Sequence, residues 1–170
     1  MTPAFAILDA QQTPIGLLSL RRRFDARLQA EVYEIKLGDD FLMTSHFTAS
    51  EVALAEFVLA DCAGERPDGE GLEVVVGGLG LGYTAQAVLR DSRVAALLVV
   101  ERLAPVIAWH ERGLLPLGRS LAEDGRCRFV AGNFFALAAA AEGFDPERPQ
   151  RRFDAVLLDV DHAPDKLLDP

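Results

Sequence analysis

Four glycines within six residues, directly after an apolar run, most constrain what this chain folds into. Leu72-Glu73-Val74-Val75-Val76 is followed by Gly77-Gly78-Leu79-Gly80-Leu81-Gly82, and residues 83–90 then read as a helix. Glycines let a chain turn tightly and let a ligand approach the backbone. The N–H groups at a helix start favour polar or anionic ligand groups. The spacing is G-x-G-x-G and not the dinucleotide G-x-G-x-x-G, because Tyr83 takes the next position. That spacing argues against a nicotinamide-dependent oxidoreductase.

The segments that follow repeat the pattern. Leu97-Leu98-Val99-Val100-Glu101 is a second strand, and Pro105 suits the first turn of a helix reaching Arg112. Residues 127–131 read as a third strand, 134–142 as an alanine-rich helix, 144–152 as a charged loop, and 155–160 as a fourth strand. Strands alternating with helices predict an α/β fold. Strands that are continuously apolar predict a parallel sheet covered on both faces.

Several side chains stand at the strand ends that such a sheet uses for ligands. Glu101 closes the second strand, where a carboxylate would accept hydrogen bonds from two ribose hydroxyls. Tyr83 follows the glycine turn and is placed to flank a nucleoside. Asp159, Asp161 and His162 cluster beyond the fourth strand. A carboxylate there accepts a proton from an attacking amine or holds a cationic substrate, and a histidine serves as a base near neutral pH. The competing expectation for all three is a solvated loop with helix-capping aspartates. No second cluster supports reading them as metal ligands, so no metal is expected. His46 and His110 are expected to be surface or structural, and Trp109 to pack in the core beside Val106 and Ile107.

The first 70 residues have a different texture. Short alternating strands surround Ile7, Leu18 and Tyr33, with a hairpin turn at Gly38-Asp39-Asp40 and a return strand at Phe41-Leu42-Met43. The Arg21-Arg22-Arg23 run reads as a solvated strand end. Thr48-Ala49-Ser50-Glu51 fits a capping box, with Val52, Ala55, Leu59 and Cys62 on one helix face. Gly64 suits a helix stop and Arg66-Pro67-Asp68-Gly69 a turn. The expected division is therefore 1–70, β-hairpins plus helix, and 71–170, a Rossmann-like nucleoside-binding domain.

Composition narrows the partners. A net charge of −9 over 170 residues lacks the bulk attraction to phosphate that sequence-independent nucleic-acid binding needs. Cys62 and Cys127 are far apart and form no CxxC, which excludes a cysteine zinc cluster and a disulfide framework. The first ten residues lack a signal-peptide pattern and no apolar run suggests a membrane span, so the expected location is cytoplasmic.

Val74-Val75-Val76-Gly77-Gly78-Leu79-Gly80-Leu81-Gly82, Glu101 and Phe153-Asp154-Ala155-Val156-Leu157-Leu158-Asp159 together resemble the class I S-adenosylmethionine-dependent methyltransferase fold, and within it the spermidine-synthase-like branch. The N-terminal hairpins and following helix are similar to the small β domain of polyamine synthases. The resemblance implies that Gly78, Gly80 and Gly82 border the methionine part of S-adenosylmethionine or its decarboxylated form, and that Glu101 holds the ribose. It implies that Asn133 stands where the family has an aspartate reading the adenine amino group, and that Asp159 is the strand-end aspartate of aminopropyl transfer.

The chain departs from the polyamine-synthase pattern in three places. The family loop typically reads Gly-Gly-Gly-Asp-Gly-Gly, and its aspartate, which would help recognise the amine of decarboxylated S-adenosylmethionine, is absent here. The family's Tyr-His pair is missing from Ser50-Glu51-Val52-Ala53-Leu54, and the second strand-end aspartate is displaced in Asp159-Val160-Asp161-His162. The expected function is alkyl transfer, aminopropyl or methyl, to a small acceptor such as a polyamine. The alternatives are a small-molecule methyltransferase and a non-catalytic interaction module derived from this fold. The sheet is expected to be truncated after its fourth strand, leaving residues 155–160 as an edge that is apolar on both faces. Such an edge invites pairing and predicts a homo-oligomer.

Overall fold

The computed structural model describes residues 5–62 and 71–160, and the chain divides between Thr48 and Ala49 into two compact units. The first is an antiparallel meander of β1 (Phe5–Thr13), β2 (Gly16–Asp25), β3 (Ala30–Leu37) and β4 (Asp40–Thr44), in that order across the sheet. The β3–β4 hairpin turns at Gly38, as its Gly-Asp-Asp sequence predicts. Leu18, Leu20, Val32 and Ile35 are buried, and Leu20 pairs directly with Ile35.

The Arg21–Arg23 run departs from its expected place at a solvated strand end. All three residues lie inside β2 and are half-buried. Arg23 donates to Glu34 at 2.7 Å and to Asp25 at 2.6 Å, and Arg22 lies 3.6 Å from Glu31 on the neighbouring strand. Carboxylates on β3 face Arg22 and Arg23, Asp25 on the same strand adds a second partner for Arg23, and Arg21 donates to Ser19 at 3.3 Å.

The second unit holds α1 (Ala49–Asp61), β5 (Leu72–Gly77), α2 (Tyr83–Leu89), β6 (Val94–Glu101), α3 (Ala104–Glu111), α4 (Gly118–Ala122), β7 (Cys127–Ala131), α5 (Phe134–Ala139) and β8 (Ala155–Leu158). Its four strands form one parallel sheet in the order β7-β6-β5-β8. Helix α1 packs on α2 and β8, burying Ala55 and Leu59, so the division falls before this helix and not at residue 70. The stop expected at Gly64 and the turn at 66–69 lie outside the described residues. Two further differences are local: α5 ends at Ala139, and the short α4 was not expected.

The two faces of the sheet are covered differently. Val74, Val76, Leu97, Val99, Ala155 and Leu157 share one face by register, and all are buried. On the other face Val75, Leu98, Val100 and Val130 are buried beneath Phe134, Leu137, Phe144 and Phe153. Val156 and Leu158 lie on that same face but are 48% and 44% exposed. Among the described residues β8 is therefore an edge strand that is apolar on both faces, as expected, with one of those faces open.

Candidate functional site

The order of strands reverses between β5 and β8, because the chain steps outward through β6 and β7 and then returns to the far side of β5. In open parallel sheets, ligands bind beyond the carboxyl ends of the strands at such a reversal. The glycine turn leaves β5 here, and Asp159 leaves β8.

Gly78, Gly80 and Gly82 all have positive φ, at 97°, 46° and 93°. Gly78 also meets a neighbour: a Cβ there would lie 1.9 Å from the backbone oxygen of Asp159. The turn closes through the Gly82 N–H donating to the Leu79 carbonyl at 2.8 Å, and it is fixed to the sheet by the Gly78 N–H donating to Val100 at 2.9 Å. Leu79 and Leu81 point into the protein and are 4% and 1% exposed.

Glu101 ends β6 beside this turn and is buried. Its Oε2 accepts the Leu79 N–H at 2.9 Å, and its Oε1 accepts the Leu103 N–H at 2.7 Å. Burial pushes its pKa above the ordinary glutamate value, against the amides of Leu103, Leu79, Gly80 and Arg102, which favour the anion. The carboxylate thus clamps the glycine turn to the end of β6. A carboxylate offers about four lone-pair sites, and backbone amides engage both of its oxygens here.

Asp159 is half-buried one residue past β8. Its N–H donates to the Gly77 carbonyl at 2.7 Å, and its Oδ2 accepts the Thr84 hydroxyl at 2.5 Å. Burial raises its pKa, the Thr84 bond opposes that, and the Glu51 charge adds to the rise. Asn133 caps α5, with its Oδ1 accepting the N–H groups of Phe135 at 2.9 Å and Ala136 at 3.3 Å. Tyr83 opens α2, half-buried. Asp161 and His162 lie outside the described residues.

Two contacts at the turn had no local signal in the sequence. One is Thr84 on Asp159. The other is His110, fully buried, whose Nε2 lies 2.8 Å from the Gly80 carbonyl. A carbonyl only accepts, so Nε2 carries the proton, and Nδ1 has no partner. Burial lowers the His110 pKa and favours the neutral ring. Trp109 is buried in the core, as expected.

This architecture is the α/β fold of class I methyltransferases, joined to a separate antiparallel N-terminal sheet. Within that class it is similar to spermidine synthases. A spermidine synthase in complex with the transition-state analogue AdoDATO matches with a TM-score of 0.64 and 18% identity, over 89% of this chain and 45% of its own. The spermidine synthase from Thermotoga maritima matches with a TM-score of 0.67 and 16% identity, over 92% of this chain and 47% of its own. The chain spans about half the length of these solved chains, and at such identity the likeness concerns the fold. No family profile and no curated protein matches the sequence. Among the described residues, no helix is long and apolar enough to cross a membrane.

Proposed function

We propose that this chain binds S-adenosylmethionine or its decarboxylated form and transfers an alkyl group to a small amine acceptor, of which a polyamine is the leading case. The observation that carries the reading is the contact of Gly78 with Asp159, which brings the turn that would underlie the nucleoside against the residue that would take the proton. The donor set suits adenosine. Bare glycine backbone lies beside a buried strand-end carboxylate, and a carboxamide stands two residues past the next strand at Asn133. Glu101 would accept from the ribose hydroxyls in competition with the backbone amides that it holds, and Asn133 would meet the adenine edge while still capping α5. Tyr83 would flank the nucleoside, and Asp161 and His162 would contact the acceptor.

When bound, the sulfonium supplies an electrophilic carbon and a neutral thioether leaving group. The acceptor nitrogen donates its lone pair to that carbon, and the carbon–sulfur bonding pair leaves with sulfur. The Asp159 carboxylate then takes the proton that the nitrogen sheds. The rest of the site holds the two reactants in line.

One observation favours methyl over aminopropyl transfer. The turn carries Gly80 and two buried leucines where an amine-recognising aspartate would stand. Turnover of a diamine with the intact and the decarboxylated cofactor separates the two. Product with the decarboxylated form supports aminopropyl transfer, and product with the intact form alone assigns a methyltransferase. Binding of neither would leave an interaction module. The homo-oligomer is proposed on the open face of β8, where Val156 and Leu158 stand exposed.

A further inference from the structure

Thr84 is the second residue of α2 and is 2% exposed. Its hydroxyl reaches Asp159 Oδ2 across 75 positions of chain. Around this bond the two segments meet twice more through main chain: the Asp159 N–H donates to the Gly77 carbonyl, and the Asp159 carbonyl lies against the bare Cα of Gly78. Those backbone contacts place residue 159 but leave its side chain free to rotate. Among the described residues, the Thr84 bond is the hydrogen bond made to the carboxylate itself.

We infer that Thr84 is a positioning residue, whose hydroxyl sets the direction of the Asp159 carboxylate and stabilises its anion, so that the glycine turn and the proton acceptor work as one unit. This rests on the proposed role of Asp159 in transfer. A hydroxyl donated to a carboxylate is a charge-assisted bond and favours the ionised form. Here it works against burial, the larger influence, and against Glu51, which faces Asp159 from α1. Neither α2 nor the glycine turn carries a charged side chain, so no cation on those elements could replace Thr84. A buried hydroxyl also needs a partner, and at this position the partner is Asp159.

The test titrates the Asp159 carboxyl by carbon-13 NMR in the ligand-free chain. Thr84→Val keeps the side-chain shape and removes the donor, while Thr84→Ser keeps the donor. The expected result is an upward shift of the Asp159 titration in Thr84→Val and a return close to wild type in Thr84→Ser. Should Thr84→Val unfold, Thr84→Ala gives the same comparison. In turnover, Thr84→Val is expected to lose roughly tenfold in kcat near neutral pH with KM for the nucleoside held, on the scale of one hydrogen bond to a charged group. Its activity limb moves to higher pH, because the carboxylate must be ionised to take the proton. An Asp159 titration in Thr84→Val that coincides with wild type overturns the inference. A wild-type chain that transfers nothing defeats the proposed reaction instead, and the titration still decides the role of Thr84.

Discussion

At Gly78 the fold leaves no space for a side chain. Its φ of 97° disfavours any L residue, and the atom an added Cβ would strike is backbone oxygen, which cannot swing aside. Gly78→Ala is therefore expected to destabilise the chain by about 2–4 kcal/mol, the sum of left-handed strain and overpacking. Denaturant unfolding reads this as a lower midpoint with an unchanged slope, and an unchanged midpoint would contradict the close approach. The glycines were legible because tight turns demand that residue. Glu101 was legible as a strand-end acid. Its role as a clamp was not, since the Leu79 amide that it holds lies 22 positions away in sequence. Asn133 likewise shows a capping bond that the sequence did not assign, although Asn is a favoured N-cap residue. Thr84 and His110 were invisible as site residues, because their partners lie 75 and 30 positions away.

Between α5 and β8 the chain reads as a charged, proline-bearing loop, yet Asp145 within it is 1% exposed. Its carboxylate accepts from Arg128, from Arg151 at 2.9 Å and from the backbone of Glu147 and Arg148. Arg151 also holds Glu73 of β5 through two bonds, at 2.9 and 3.0 Å. This network ties the loop to β5 and β7 and so fixes where β8 enters the sheet. Burial alone would raise the Asp145 pKa, but the bonds from Arg128 and Arg151 bring it down to about 2. A depressed carboxyl contributes stability above its unfolded pKa, near 4, and loses it as pH falls through the folded value. Asp145→Asn lacks that contribution. Its stability curve and that of wild type are expected to converge by on the order of 2 kcal/mol as pH falls from about 4 to about 2. Parallel curves in chemical denaturation across that window would contradict the network. A charged loop of this kind reads as solvated because sequence shows each charge and not the partner that permits its burial.

At the scale of the whole chain, the α/β alternation and the parallel sheet follow from the apolar runs of β5, β6, β7 and β8. Which unit α1 joins does not, because its apolar stripe would serve a sheet on either side. The apolar edge at β8 was legible from its run of apolar residues, and Val156 and Leu158 stand half exposed there. What unites these levels is the proposed nucleoside seat at the reversal of strand order, where the glycine turn meets Glu101 and Asp159. Titration calorimetry with methylthioadenosine, on wild type and on Glu101→Ala checked for folding by circular dichroism, tests that proposed seat most directly. Saturable heat with wild type and its loss in a folded Glu101→Ala variant is the predicted result. No heat with wild type, or equal affinity in the two proteins, would contradict a nucleoside seated there.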